Sequence, residues 1–489
     1  MKKDKNSFFR WGALFYIAVF EQTSHAQQLL GKTSESTTSS RPSCLQTVAL
    51  DPLDLNEALA QAYQHNPSIV AAQGDVEKAK ANETIATAAF YPTVNASIAA
   101  ERYVNEARNN PVTTVGSTVI GGQSGMYSNY PSVSTNWNLY NGGRDLAAYR
   151  AAQATTRASS SDLDNKFNDT FTSVLAAYND LMKAQVLFVE QSDAVKVHDA
   201  MVLRSRERFQ RNNGTLIALN QARIARAQTE RESFKTCRDI LDKSAALAKA
   251  IGVRLPAGHV LTLTEPLPTV PDDAFNELTI ETLIQSDPAV NAAKERKEAA
   301  MHKIEQAQGA FYPTLAFTAR YDWLGQKQEG FGAAWQNTSD NSYRYGLILQ
   351  QSLFPFAAYK GGVQSAHADL IKADAEYRDT MVSVETHLRT ALNAKTEAED
   401  AELSAQHSAE EARQALLLSK ALFAGGQADL DTVARAQLDA GQEEEAADEA
   451  KAERVLNDWL VYRALHPTEF ATMLLKAAES TSNKTGGIH

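Results

Sequence analysis

The pentapeptide Ala-Phe-Tyr-Pro-Thr occurs twice, at Ala89–Thr93 and again at Ala310–Thr314. A chain that repeats itself at such a distance must fold as two copies of one unit, and further matches follow in the same order. Asn66-Pro67 precedes the first copy as Asp287-Pro288 precedes the second. Leu139-Tyr140-Asn141-Gly142-Gly143 corresponds to Leu353-Phe354 with Gly361-Gly362. Arg208-Phe209-Gln210 then answers Leu422-Phe423-Ala424, and Asn220-Gln221-Ala222 answers Ala434-Arg435-Ala436. The offset drifts from 221 to 214 residues, as expected if only loop lengths differ. A stretch with prolines at 256, 266, 268 and 271 joins the copies.

Each copy reads as helix, two strands and two helices. Asn or Asp before Pro is a helix start, because the side chain caps the first turn and Pro fits the first helical position. The first helix therefore spans about Pro67 to Phe90, and Pro288 to Phe311 in the second copy. Pro92 and Pro313 bias Tyr91 and Tyr312 away from the helical region and end both helices. Alternation then marks half-buried strands. Leu315, Phe317, Ala319, Tyr321 and Trp323 alternate with polar residues, as do Tyr343, Tyr345, Leu347 and Leu349. The first copy repeats this more weakly from Val94 to Glu101 and from Val133 to Leu139.

A long helix is predicted from about Arg144 to Phe209. Leu163, Phe167, Phe171, Val174, Tyr178, Leu181 and Phe188 recur at the step of a coiled-coil seam. Its breaks, Asn212-Asn213-Gly214 and Gly425-Gly426, are expected to be tips of helical hairpins, with Gly or Asn supplying positive φ. Four strands cannot close a membrane barrel, which takes about 8 or more. Left open they expose unpaired edges. Tyr103, Trp137, Tyr321, Trp323 and Tyr343 lie near strand ends like an aromatic girdle. The economical solution is a barrel shared by several chains, the alternative being a soluble sandwich between helices.

The domain organisation follows. Residues 1–26 read as a signal peptide, with basic Lys2, Lys3, Lys5 and Arg10, the apolar run Trp11–Phe20 and a small-residue cleavage site at Ser24-His25-Ala26. Residues 27–52 read as a flexible leader, 53–253 as repeat one, 254–277 as an inter-repeat linker, 278–465 as repeat two and 466–489 as a C-terminal tail. Cys44 and Cys237 can pair in an oxidising compartment, though nothing in their spacing demands it. The net charge of −11 argues against a nucleic-acid partner. Motifs for catalysis, metal ligation and cofactor binding are lacking, so the chain reads as no enzyme and cofactor-free. The acidic run Glu443-Glu444-Glu445 reads as a solvated helix face.

The tandem repeat, both Phe-Tyr-Pro-Thr junctions, the Leu-Tyr-Asn-Gly-Gly strand exit and the Arg-Phe-Gln hairpin tip resemble TolC-type outer-membrane efflux proteins. The resemblance covers about Leu53 to Leu465. It implies a mixed α and β fold, a homotrimer with a 12-stranded outer-membrane β-barrel, and a periplasmic α-helical tunnel beneath. It further implies an exit duct for drug efflux or type I secretion. The partners would be a periplasmic adaptor, an inner-membrane transporter and outer-membrane lipid. Phe90, Tyr91 and Pro92, with Phe311, Tyr312 and Pro313, would then mark the periplasm-to-membrane threshold, where aromatic rings anchor. Asn212, Asn213, Gly214, Gly425 and Gly426 would contact the adaptor.

Family members carry carboxylates near the second tip, whereas the matching positions here are Thr432 and Arg435. Asp429 and Asp431 are the nearest acids and are expected to set aperture selectivity toward cations, with Arg211 and Arg435 as latching partners. The alternative is solvated tip charges without a gating role. Competing whole-protein readings are a structural or adhesive coiled-coil trimer, a general diffusion porin and the adaptor itself.

Overall fold

The computed structural model describes residues 49–105, 113–115, 118–120, 124–270, 280–327, 329–338, 340–354, 356–474 and 476. They fall within Val48–His489, one of the two units into which the chain divides. The signal peptide, most of the leader and Cys44 lie outside the described residues. In chain order the elements of repeat one are β1 (Ala49–Leu53), α1 (Leu55–His65), α2 (Pro67–Thr87), β2 (Thr93–Asn105), β3 (Thr113–Val115), β4 (Thr118–Ile120), β5 (Ser124–Asn141), α3 (Arg144–Gln210) and α4 (Leu216–Ile251). After β6 (His259–Leu263), repeat two holds α5 (Ile280–Ser286), α6 (Pro288–Gln308), β7 (Thr314–Lys327), α7 (Phe331–Gln336), β8 (Asp340–Gln350), α8 (Phe356–Ala424) and α9 (Leu430–Leu465).

Local chemistry sets the element ends as expected. Asn66 Oδ1 accepts from Ser68 N–H at 2.8 Å to cap α2, and Asp287 Oδ1 accepts from Ala289 N–H at 2.8 Å to cap α6. Tyr91 and Tyr312 are extended, so each helix stops and a strand begins there. Strands β2, β5, β7 and β8 form one antiparallel sheet in that order, which brings both repeats together through β5 and β7. The strands run several residues longer than alternation alone marks them.

Helix α3 has 67 residues and therefore spans about 100 Å. Its upper part packs against α2 and α6 and its lower part against α4, while α8 and α9 form the second hairpin. The predicted seam is in place, with Phe171, Val174, Tyr178 and Leu181 all buried. Helices α4 and α2 meet end to end. Gly252 closes α4 with φ of 88°, and a Cβ there would sit 2.6 Å from Asn66 Cα. Asn66 also donates from Nδ2 to the Ala250 carbonyl at 2.7 Å, so one side chain caps two helices. Asn66→Ala is expected to cost about 1–2 kcal/mol, the range for lost caps. A thermal midpoint equal to wild type would contradict the splice.

Three expectations are corrected. The leader is ordered from Ala49, because β1 pairs in parallel with β6 of the linker. Gly361-Gly362 is not the counterpart of Gly142-Gly143: it lies inside α8, whereas Gly142 and Gly143 take φ of 63° and 78° at the start of α3. The stretch after His466 is no loose tail where it is described. Phe470 and Leu474 are buried, and Phe470 meets the Trp459 ring. These residues join α1, the middle of α3, the end of α4, β6 and the end of α9 in the main core. Cys237, buried on α4, is disulfide-bonded. Glu444 spans the α8–α9 hairpin to Arg413 at 2.9 Å, and burial raises the pKa of neighbouring Glu445.

Candidate functional site

The sheet has two unlike faces. Register places Ala96, Val133, Tyr321 and Tyr343 in one row across all four strands, with Val94, Thr135, Ala319 and Tyr345 in the next row on that face. On the opposite face one row reads Asn95, Ser134, Arg320 and Arg344, and its neighbours read Ser97, Ser132, Asp322, Ser342 and Thr93, Asn136, Thr318, Gly346. The apolar face is open to its surroundings, with Tyr343 73% and Leu349 72% exposed. Strands β2 and β8 each keep one edge without a partner among the described residues. No described helix is long and apolar enough to cross a membrane.

The aromatic positions separate into levels. Trp137 lies level with Phe317 near the helical end of the sheet. The Tyr321 and Trp323 rings meet at a tilt, 4.4 Å between centroids, and Tyr343 lies opposite Tyr321. The step from Phe317 to Tyr321 is about 14 Å along an extended strand. Tyr103 is on β2 opposite Met126, and its side chain lies outside the described residues.

Both Phe-Tyr-Pro corners are built alike. Trp137 Nε1–H donates to the Phe90 carbonyl at 2.9 Å, and Gln351 Nε2–H donates to the Phe311 carbonyl at 3.1 Å. Each phenylalanine ring packs edge-on against a tyrosine from the start of the following long helix, Tyr149 for Phe90 and Tyr359 for Phe311. A carbonyl freed by the proline break thus gets a side-chain donor in both repeats. Tyr91 and Tyr312 stay exposed.

At the far end are the hairpin tips. Asn212 takes φ of 56° and Gly426 takes φ of 72°, so these two residues make the left-handed turns. Gly214 and Gly425 do not, which narrows the expected roles of the tip glycines. Gly214 is needed for another reason, since a Cβ there would meet Arg208 Cβ at 3.0 Å and Phe209 N at 3.1 Å. Asn212, Asn213, Gly214, Gly425 and Gly426 are all exposed.

Asp429 and Asp431 are brought together, but the latching arginine is a different one. Arg208 donates from Nη1 to Asp431 Oδ2 at 2.6 Å and from Nη2 to Asp429 Oδ2 at 3.4 Å. Arg211 and Arg435 are exposed, and no ion pair of either is found among the described residues. The reason is helical phase. Helix α3 continues to Gln210, so Arg208 faces the first turn of α9, while Arg211 is the C-cap and points outward. Asp429 has a second task, capping α9 by accepting from Thr432 N–H and Oγ1–H at 3.0 and 3.1 Å. The Thr432 amide first, and then Arg208, hold its carboxyl below the usual range. Sequence reading missed Arg208 as a partner. Its repeat position in Arg208-Phe209-Gln210 was the available signal.

Comparison with known proteins places this geometry. The family model for outer membrane efflux proteins matches residues 58–253 and 279–463. The chain is 25% identical to the protein CyaE of Bordetella pertussis over 334 residues, which is 67% of this chain and 65% of that protein. It is 22% identical to the outer membrane efflux protein BepC of Brucella suis over 266 residues, 54% of each chain. These matches span less than two thirds of either relative. Among solved structures, the outer membrane protein VceC of Vibrio cholerae superposes with a TM-score of 0.67 at 21% identity, over 84% of this chain and 95% of that one. With the family model covering both repeats, the chain belongs to the outer membrane efflux protein family, and its place is the outer membrane with an extension into the periplasm.

Proposed function

We propose that three copies of this chain assemble into an exit duct, a shared 12-stranded barrel continued by a helical tunnel across the periplasm. The carrying observation is the four-stranded sheet, apolar on one face, polar on the other and, among the described residues, open at both edges. Such edges demand partners, and in a bilayer only a closed barrel satisfies every strand. Helix α8 supports the same reading, because its 69 residues bury only five side chains. Exposed Ile371, Val382, Leu403 and Leu417 run along it as a face for a neighbouring copy. The cargo is drug-type small molecules or secreted protein, delivered by an inner-membrane transporter through a periplasmic adaptor that contacts the tips.

The Arg208–Asp429–Asp431 contact joins α3 to α9 and serves as the aperture latch. Its ion pairs are partly exposed, and such pairs are worth about 0.2–1 kcal/mol each, weak enough for a partner to open. Arg208→Ala, or Asp429→Ala with Asp431→Ala, is expected to raise the conductance of reconstituted pores. Wild-type conductance in both variants would exclude the latch. Because Asp429 is depressed in the folded state, its contribution persists at neutral pH and is lost only below the ordinary carboxylate value of about 3.9. Conductance should therefore not change between about pH 7 and pH 5 through this group.

A soluble periplasmic monomer, seen by fractionation and unheated gel migration, would overturn the duct.

A further inference from the structure

The polar face of the sheet carries a charge arrangement that a passive wet wall does not need. Arg320 and Arg344 are direct cross-strand neighbours on β7 and β8. Opposed residues on one face have Cβ atoms about 4.5–5.5 Å apart, and like charges placed so are destabilising. Most other positions on this face are neutral Ser, Thr and Asn, which would serve at no such cost, with Asp322 and, farther along β2, Glu101 as acids.

Only one of the two arginines is neutralised. Arg320 Nε–H donates to Asp322 Oδ1 at 2.5 Å, two residues along its own strand. Arg344 is exposed, and no carboxylate is paired with it among the described residues. Two guanidinium groups against one carboxylate leave one positive charge per chain at this level. Both arginines line a single concavity of about 390 Å³, whose other walls include Asn95, Ser134, Asn136 and Thr318. The neutral residues supply amide and hydroxyl groups, and the guanidinium fork presents paired N–H donors matched to carboxylate and phosphate oxygens.

We infer that Arg344, with Arg320 beside it, forms an oxyanion-binding ring in the barrel lumen that makes this section of the duct anion-preferring. The inference rests on the trimeric barrel, in which three such sites face one lumen. Rings of arginine or lysine are how anion pores select, and a narrow low-dielectric wall strengthens the field. The preferred solutes carry carboxylate or phosphate groups. The barrel and the tips are then different electrostatic sections of one path, since Arg208 meets only one of the two charges of Asp429 and Asp431 and leaves the tips negative.

The test uses full-length pores in planar bilayers, under a potassium chloride gradient, with inorganic pyrophosphate added from the barrel side. Wild type is expected to show an anion-side reversal potential and a pyrophosphate-dependent reduction of current. Arg344→Ala should shift the reversal potential toward the cation side and abolish the block. Arg344→Lys should keep the shift small while weakening the block, because an ammonium keeps the charge but loses the fork. Asp322→Asn should strengthen anion preference by releasing Arg320. Unheated gel migration confirms that each variant assembles. Channels whose selectivity and block are the same in Arg344→Ala as in wild type would overturn the ring while leaving the duct intact. Failure of the wild-type chain to form channels would instead defeat the duct.

Discussion

Gly142→Val is expected to abolish the assembled form on unheated gels and to cost about 3 kcal/mol or more, the range for severe backbone and packing faults. Two effects add. Gly142 has φ of 63°, a conformation costing a residue with a side chain about 1–2 kcal/mol. A Cβ there would also lie 2.2 Å from the Gly309 carbonyl oxygen and 3.1 Å from Tyr312 Cβ. Those atoms belong to the Phe-Tyr-Pro corner of the other repeat, so the clash falls on backbone that cannot rotate away. Two internal comparisons isolate the cause. Gly143 has φ of 78° but nothing within 4 Å of an added Cβ, so Gly143→Ala should cost only the conformational part. Gly361 and Gly362 sit inside α8 with open space around them, and alanine there should stabilise by about 0.5–1 kcal/mol each. Equal thermal midpoints for Gly142→Val and Gly143→Ala would rule out the inter-repeat contact as the cause of the added loss.

The second large effect is at Trp459. Its side chain is 0% exposed, its Nε1–H donates to the Pro268 carbonyl at 2.7 Å, and it meets Tyr462 and Phe470 edge-on. One residue therefore ties α9 to the linker and to the segment after His466. Trp459→Ala is expected to cost about 3–5 kcal/mol through the cavity and lost burial. Trp459→Phe keeps most of the packing but strands the carbonyl, for about 1–3 kcal/mol. Denaturant midpoints check both values, and protease cleavage near the linker should rise in the same order. An alanine variant as stable as the phenylalanine variant would show that the indole packing contributes little.

Much of this architecture was legible because it is written in short-range chemistry. Asn66-Pro67 and Asp287-Pro288 announce helix starts, and Pro92 and Pro313 announce helix stops. The seam from Leu163 to Phe188 declares a long packed helix. Strand alternation assigned the two faces from β7 and β8 without any partner. The misreadings came where one residue step matters. The double glycines look equivalent as text, yet only Gly142-Gly143 is at a helix entrance. Arg211 is nearer the turn than Arg208, yet helix rotation aims Arg208 at α9.

The sequence by itself determined the duplication, the order of elements, the helix ends and the in-out pattern of each strand. These depend on residues within a few positions of each other, where periodicity and capping act. Tertiary structure alone decided which strands pair, that Arg320 opposes Arg344, that Gly142 leans on Gly309, and that Phe470 returns to the core beside Trp459. Each of these contacts joins residues distant in the chain or depends on helix phase and strand register. A shift of one residue there redirects every side chain, and no local pattern in the chain records it.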